Sequence, residues 1–230
     1  VKAFRGSAAA FGLMDLIVSM AAVGFVFGIV FLLFSYGVGG YALLDARQGV
    51  QGDALKARTQ LERDFSLSHF DSVGVVQGNF EGFERDIVCC LGLSDWNDPA
   101  RFSDNGLPLW DRYIVYYATA DQGSGSLMRA ELAPEVPEGL ECLRITPLPA
   151  GLLGAVGLDV PPADLALIGR QKVTDDLQEF SCSTDPSLQV VSVRLAGRRV
   201  SGARPGGAKR TDEGFEAVFE LDPLNTSPKL

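Results

Sequence analysis

The chain has 230 residues, a net charge of −9 from 20 basic and 29 acidic side chains, 47% apolar residues, four cysteines and one histidine. An acidic chain is a poor partner for nucleic acid, because neutralising phosphates takes clustered Lys and Arg. Apolar residues are densest before residue 45, which points to one membrane segment followed by one modest globular domain.

In chain order, the first predicted element is the apolar run Leu16 to Phe34, 19 residues long. As a helix it reaches about 28 Å at ~1.5 Å per residue, enough to cross a bilayer core. Lys2 and Arg5 precede it and Asp45 is the first charge after it. The positive-inside rule therefore places the N-terminus in the cytoplasm and the C-terminal bulk outside. Without residues 1–10, which carry both of those cations, 18 basic and 29 acidic residues remain, a net −11. A carboxylate, Asp15, stands at the entrance of this run, with no further charge before Asp45. At the centre of a membrane helix a carboxylate costs roughly 2.5 to 3.5 kcal/mol on insertion scales, so Asp15 needs a partner. A cleaved secretory signal has a shorter apolar core of about 7 to 15 residues and a small-residue cleavage site, which Gly39-Gly40-Tyr41-Ala42 imitates. A plain signal anchor fits the length and orientation but gives Asp15 no partner.

Ala10-Phe11-Gly12-Leu13-Met14-Asp15-Leu16-Ile17-Val18 resembles the class III signal of type IV prepilins and pseudopilins. In that family a prepilin peptidase removes a short basic leader on the cytoplasmic side, the new N-terminal Phe is N-methylated, and an acidic residue stands fifth. The resemblance implies a leader over residues 1–10, cleavage between Ala10 and Phe11, N-methylation of Phe11, and Asp15 in the acidic position. Ala10 stands where the family usually has Gly, and Asp15 where it usually has Glu. It further implies an ion pair between Asp15 and the N-terminal amine of an adjacent subunit. An α-amine has a pKa near 7.7 to 8, so it is mostly cationic at neutral pH. Removing one partner of a buried ion pair costs roughly 3 to 5 kcal/mol, so such a pair penalises a subunit docked at the wrong height. Gly24-Phe-Val-Phe-Gly28 is a small-xxx-small pattern that lets a neighbouring helix approach closely.

Gly37, Gly39 and Gly40 follow, where backbone entropy predicts a thinning or bend of the helix. Leu44, Val50, Ala54, Ala57, Leu61 and Phe65 then recur at helical spacing, a stripe suited to packing beneath a sheet, with the helix ending near Ser66 to Phe70. The domain division is thus a leader over 1–10, a transmembrane part over 11–36, an amphipathic continuation over 37–70 and a β-rich head over 71–230. The fold class is α+β, a long N-terminal helix packed on a β-rich head. Strands are predicted over Val73–Val76, Ile87–Cys90, Arg112–Ala118, Ser126–Leu132, Leu140–Thr146, Leu188–Leu195 and Gly214–Leu221, from alternation and from β-branched and aromatic content. Lys172–Phe180 reads as a short helix or an edge strand, and the Gly- and Pro-rich Pro147–Ala163 as a loop.

Outside the cytoplasm Cys89, Cys90, Cys142 and Cys182 can oxidise. Of three connectivities, the vicinal Cys89–Cys90 bridge is strained, which leaves two schemes that join the vicinal pair to Cys142 and Cys182. The scattered Arg194, Arg198, Arg199, Arg204, Lys209 and Arg210 read as a solvated hairpin. His69, the sole histidine, reads as a surface or helix-end residue; a hydrolytic triad lacks any other histidine base, and no P-loop, dinucleotide fingerprint or zinc motif occurs. The oxygen-rich loop from Asp95 and Asp98 through Asp104 to Asp111 is a calcium candidate, without EF-hand spacing; otherwise no cofactor is expected and the chain does not read as an enzyme.

In the head, Trp110-x-x-Tyr113-x-Val115-Tyr116-Tyr117, Leu127-x-Arg129, Val173-x-x-Asp176-Leu177-x-x-Phe180, Val191-x-Val193-x-Leu195 and Phe215-Glu-Ala-Val-Phe with Asn225 resemble J-type minor pseudopilins and W-type minor pilins. This implies a minor subunit that initiates or caps a type IV pilus or a type II secretion pseudopilus. Its partners would be the prepilin peptidase, other major and minor pilins or pseudopilins, the inner-membrane assembly platform and the membrane. The competing reading is a membrane-anchored extracytoplasmic binding domain that does not polymerise.

Overall fold

A computed structural model describes residues 12–119, 125–136, 140–157, 165–200 and 212–224. Ala10, Phe11 and the proposed leader lie outside the described residues, as do Arg204, Lys209, Arg210 and Asn225.

The first element, α1, runs without interruption over Leu13–Ser66, 54 residues. The backbone stays α-helical through Gly37, Gly39 and Gly40, so the expected thinning does not occur there. A glycine costs about 1 kcal/mol against alanine within a helix. Opening a helix next to hydrocarbon strands unpaired N–H and C=O groups, at several kcal/mol each. Helix continuity wins. The C-terminal end falls where expected: after Ser66 a turn leads to a 3-10 segment, Phe70–Ser72, capped by His69, whose Nδ1 accepts a hydrogen bond from Asp71 N at 3.1 Å. His69 is buried, and that burial outweighs nearby Asp71 to lower its pKa, which favours the neutral ring seen as an acceptor.

The head is an antiparallel sheet. Its strands are β1 (Gly74–Val76), β4 (Ile87–Gly92), β5 (Arg112–Ala118), β6 (Gly125–Pro134), β7 (Leu165–Asp185), β8 (Val190–Val200) and β9 (Asp212–Leu221), in spatial order β1-β4-β5-β6-β7-β8-β9. A small hairpin of β2 (Asn79–Phe80) and β3 (Phe83–Glu84) stands apart. The 21-residue β7 is the corner piece. Its first part pairs with β6 as far as Leu177, and from Leu177 onward it pairs with β8, with a register shift between Leu177 and Glu179. Asp176 there has φ 58, a left-handed conformation that Asp tolerates better than most residues. The sheet curls so far that the start of β4 meets β7 again: Arg85 bridges Phe180, and Asp86 N donates to Phe180 O at 2.7 Å.

Lys172–Phe180 is therefore neither a helix nor an edge strand, but the centre of the longest strand. Val173, Leu177 and Phe180 are all buried, and the bulge stretches strand alternation into a spacing that mimics a helix. Two further expectations change. Leu140–Thr146 forms bends and irregular backbone in place of a strand, with Leu143 N donating to Trp110 O at 2.7 Å. Within Pro147–Ala163 a short helix, α2 (Ala150–Gly157), begins directly after Pro149 and buries Leu153 and Val156.

Each face of the curled sheet has its own core. Ala57, Leu61 and Phe65 of α1 sit at 0% exposure against Cys90, Tyr116, Leu127, Leu177, Phe180, Val193 and Phe219. On the opposite face, α2 and the segment before it cover Cys89, Tyr113, Val115, Tyr117 and Leu132. Strand alternation sends the vicinal cysteines to opposite faces, Cys90 to the core that holds Cys182 and Cys89 to the other. No disulfide forms: Cys89, Cys90, Cys142 and Cys182 are all free thiols, against the two expected schemes. Burial pushes the Cys89 thiol up to about 11, and those of Cys90 and Cys182 well above the ordinary thiol value, so all three stay protonated.

Phe65→Ala removes a ring lying 6.4 Å from that of Tyr116. Urea denaturation of the full chain in detergent is expected to show a loss of about 3 to 5 kcal/mol, the usual cost of such a cavity. Leu55→Ala, on the exposed side of the same helix, is expected to change stability by no more than about 0.5 kcal/mol.

Candidate functional site

Two stretches of α1 carry the candidate chemistry. The first is its N-terminal half. Leu13–Val38 is a 26-residue span of mean hydropathy 2.8, with 0% of its most apolar window buried. It is long and apolar enough to cross a membrane. Asp15 sits in the first turn, where a carboxylate is favoured by the helix dipole. Its Oδ2 accepts a hydrogen bond from Gly12 N at 3.3 Å, while Ser19 Oγ donates to Asp15 O at 2.7 Å. Asp15 thus has a local role that sequence reasoning missed, as a helix cap; the signal was its position three residues after Gly12. The bond is long and the side chain exposed, which leaves the carboxylate open to a second, cationic partner. Gly24 and Gly28 lie one turn apart on the bare helix, and a Cβ built at either meets nothing within 4 Å. Higher up, Val30, Leu33, Phe34, Gly37, Val38 and Tyr41 outline a shallow apolar groove of about 490 Å³.

The second stretch is the seam where α1 enters the head. Asp64 is 8% exposed, and its Oδ2 accepts hydrogen bonds from Tyr116 Oη and from Arg129 Nε, each at 2.6 Å. Arg129 continues to Glu131 at 2.5 Å, and Glu131 to Arg112, also at 2.5 Å. From Arg112 the chain of charges passes to Asp111 at 3.3 Å and to Arg101 at 3.1 Å. Glu131 and Asp111 each lie between two guanidinium groups and Asp64 between one and the Tyr116 phenol, the kind of pairing that makes buried charge tolerable. Burial, then the adjoining Asp64 carboxylate, raise the Tyr116 phenol far above its ordinary value, so it stays a donor. Burial alone would lower Arg129, but its bonds to Asp64 and Glu131 outweigh that and fix its charge. Glu131 would be raised by burial; Arg129 and then Arg112 prevail and hold it below the usual carboxylate range.

The remaining candidate residues have structural partners. Arg194 pairs with Glu179 and Glu216 at 2.8 and 2.9 Å, and Arg199 with Asp176 and Asp53 at 2.6 and 3.2 Å, so these members of the basic cluster are tied to acids. In the proposed calcium loop, Asp95 accepts from Asn97 N, Asp98 from Ala100 N and Asp111 from Ser94 N, all between 2.8 and 3.0 Å. Among the described residues no group of three His, Cys, Asp or Glu side chains is placed to hold a metal. No family model, curated protein or solved structure matches the chain.

The Asp64 seam was legible in part. Asp64 interrupts the Leu61–Phe65 stripe on its buried side, and Arg129 shares strand parity with Leu127, but pairing them needed the sheet order. Arg129→Met strands a buried carboxylate, and the expected loss in urea denaturation is about 3 to 5 kcal/mol. The depressed pKa of Glu131 gives a pH test. Its contribution is complete above its ordinary value of 4.5 and is lost as pH falls through the lower folded-state value. Stability of the native chain is therefore expected to fall with acidification below about pH 4.5, and this slope is expected to flatten in Arg129→Met.

Proposed function

We propose that this chain is a minor pilin or pseudopilin, a structural subunit that helps initiate or cap a type IV pilus or type II secretion pseudopilus. The observation that carries the reading is the division of a single helix. One half is bare and apolar for 26 residues, and the same helix continues unbroken into the core of a β-rich head. A helix of this form presents a bundling surface at one end and is held rigidly at the other. The Phe11-to-Asp15 phasing of the class III signal supports the reading from the sequence side. So do Gly24 and Gly28, whose open faces admit a second helix. In this reading the chain is single-pass, with a cytoplasmic leader and an extracytoplasmic head. It assembles with other pilins on the inner-membrane platform, and Asp15 meets the amine of a neighbour.

Mass spectrometry of the mature N-terminus tests the pathway. An N-methylated Phe11 is expected; an intact leader, or a start near Leu43, would support the membrane-anchored domain that does not polymerise. Asp15 has two candidate duties, capping and intersubunit pairing, and two variants separate them. Asn keeps an oxygen for Gly12 N and loses the charge, whereas Val loses both. If the ion pair matters, Asp15→Asn and Asp15→Val are both cleaved normally and both assemble poorly. Normal assembly by Asp15→Asn would leave capping as the only role.

A further inference from the structure

Among the described residues, β9 presents the longest strand edge without a partner in the sheet. The sheet ends in two edge strands, β1 and β9. β1 has only three residues. β9 has ten, pairs with β8 without a register shift, contains no proline, and carries acids but no lysine, so its edge is open to a basic strand. Edge strands are normally blunted by shortness, bulges, Pro or Lys, because a bare row of N–H and C=O groups invites another strand. Among the described residues, no backbone hydrogen bond outside the β8 ladder reaches residues 212–221. Beside this edge a groove of about 430 Å³ runs between β9 and α1, lined by Arg47, Val50, Gln51 and Ala54 on the helix and by residues 214–217 on the strand.

An open strand edge beside a helix is the geometry in which an extended peptide adds to a sheet, with alternate side chains directed into the groove. From this geometry we infer that β9 is a strand-addition site for an extended segment of another protein that carries basic residues on one face and apolar residues on the other. Charge selects the occupant. The outward positions of β9 are Glu216, Val218 and Glu220, with Val218 68% exposed. A strand placed opposite meets Glu216, which it shares with Arg194 of β8, then Val218, then Glu220, and matched pairs across strands favour Lys or Arg, an apolar residue, then Lys or Arg. Its inward side chains face Val50 and Ala54, which favours small apolar residues. A second copy is disfavoured. Antiparallel self-pairing centred on Val218 sets Glu216 against Glu220, and the chain as a whole carries −9. The inference concerns the head alone and does not rest on the filament reading.

The test uses the full chain in detergent and a short synthetic peptide with Lys-Val-Val-Val-Lys at its centre. Saturable binding is expected, with slowed amide exchange at alternate residues of β9. Glu216→Lys/Glu220→Lys is expected to weaken binding at least tenfold and to favour the Glu-Val-Val-Val-Glu counterpart. Reversing Glu216 breaks its exposed ion pair with Arg194, which keeps Glu179, so the fold stays intact; near-native exchange in Leu61 and Tyr116 would verify this. Backbone N-methylation of the peptide at alternate positions on its β9-facing edge should abolish binding, and methylation at the other positions should spare it. No binding, equal binding to the charge-reversed variant, indifference to N-methylation, or self-association through β9 in place of peptide binding would each overturn the proposal.

Discussion

Asp64 is a carboxylate on the turn of α1 that the sheet encloses, and it accepts hydrogen bonds from Tyr116 and Arg129 at 2.6 Å each. Apolar packing alone is tolerant of small slips, because Ala57, Leu61 and Phe65 present a stripe that could slide or rotate slightly against a smooth sheet. A buried carboxylate that must meet a phenol from β5 and a guanidinium from β6 has one acceptable position. The network behind Arg129, through Glu131 and Arg112 to the loop carboxylate Asp111, anchors those two strands in turn. Its value is specificity of register more than net stability, since buried ion pairs rarely add much of the latter.

That fixed register has a mechanical consequence, because α1 is one helix from Leu13 to Ser66. Whatever holds the bare N-terminal half also sets the height and rotation of the head. The two halves answer to different solvents. Over Leu13–Val38 every face is apolar and exposed, while from Val50 onward only one stripe is buried. Asp15 marks the lower limit of the apolar half and Asp45 its upper one.

The sequence was most legible where one physical signal acted alone. The apolar run, the end of α1 near Ser66 and the strand Arg112–Ala118 follow directly from hydropathy and alternation. Legibility failed where tertiary geometry altered a local period. The bulge beside Leu177 gave β7 a helix-like spacing of apolar residues, and the covering role of α2 let a Pro- and Gly-rich stretch turn helical. The expected disulfides failed because a bridge needs two sulfurs at bonding distance, which composition does not report: Cys90 and Cys182 border the same core and both are free thiols. At the candidate site, Asp15, Gly24 and Gly28 could be named from the sequence, whereas the Asp64–Arg129 pair joins residues 65 positions apart and needed the strand order.

The proposed role as a filament subunit requires the bare half of α1 to pack against helices of other protein subunits. A photoreactive phenylalanine analogue at Phe27, which is 69% exposed on the apolar span, tests this directly in native membranes. Irradiation is expected to give discrete protein–protein adducts with other single-pass, helix-anchored subunits, and fewer of them when Gly24 and Gly28 are both replaced by leucine. Adducts to lipid alone, unchanged by those replacements, would contradict it.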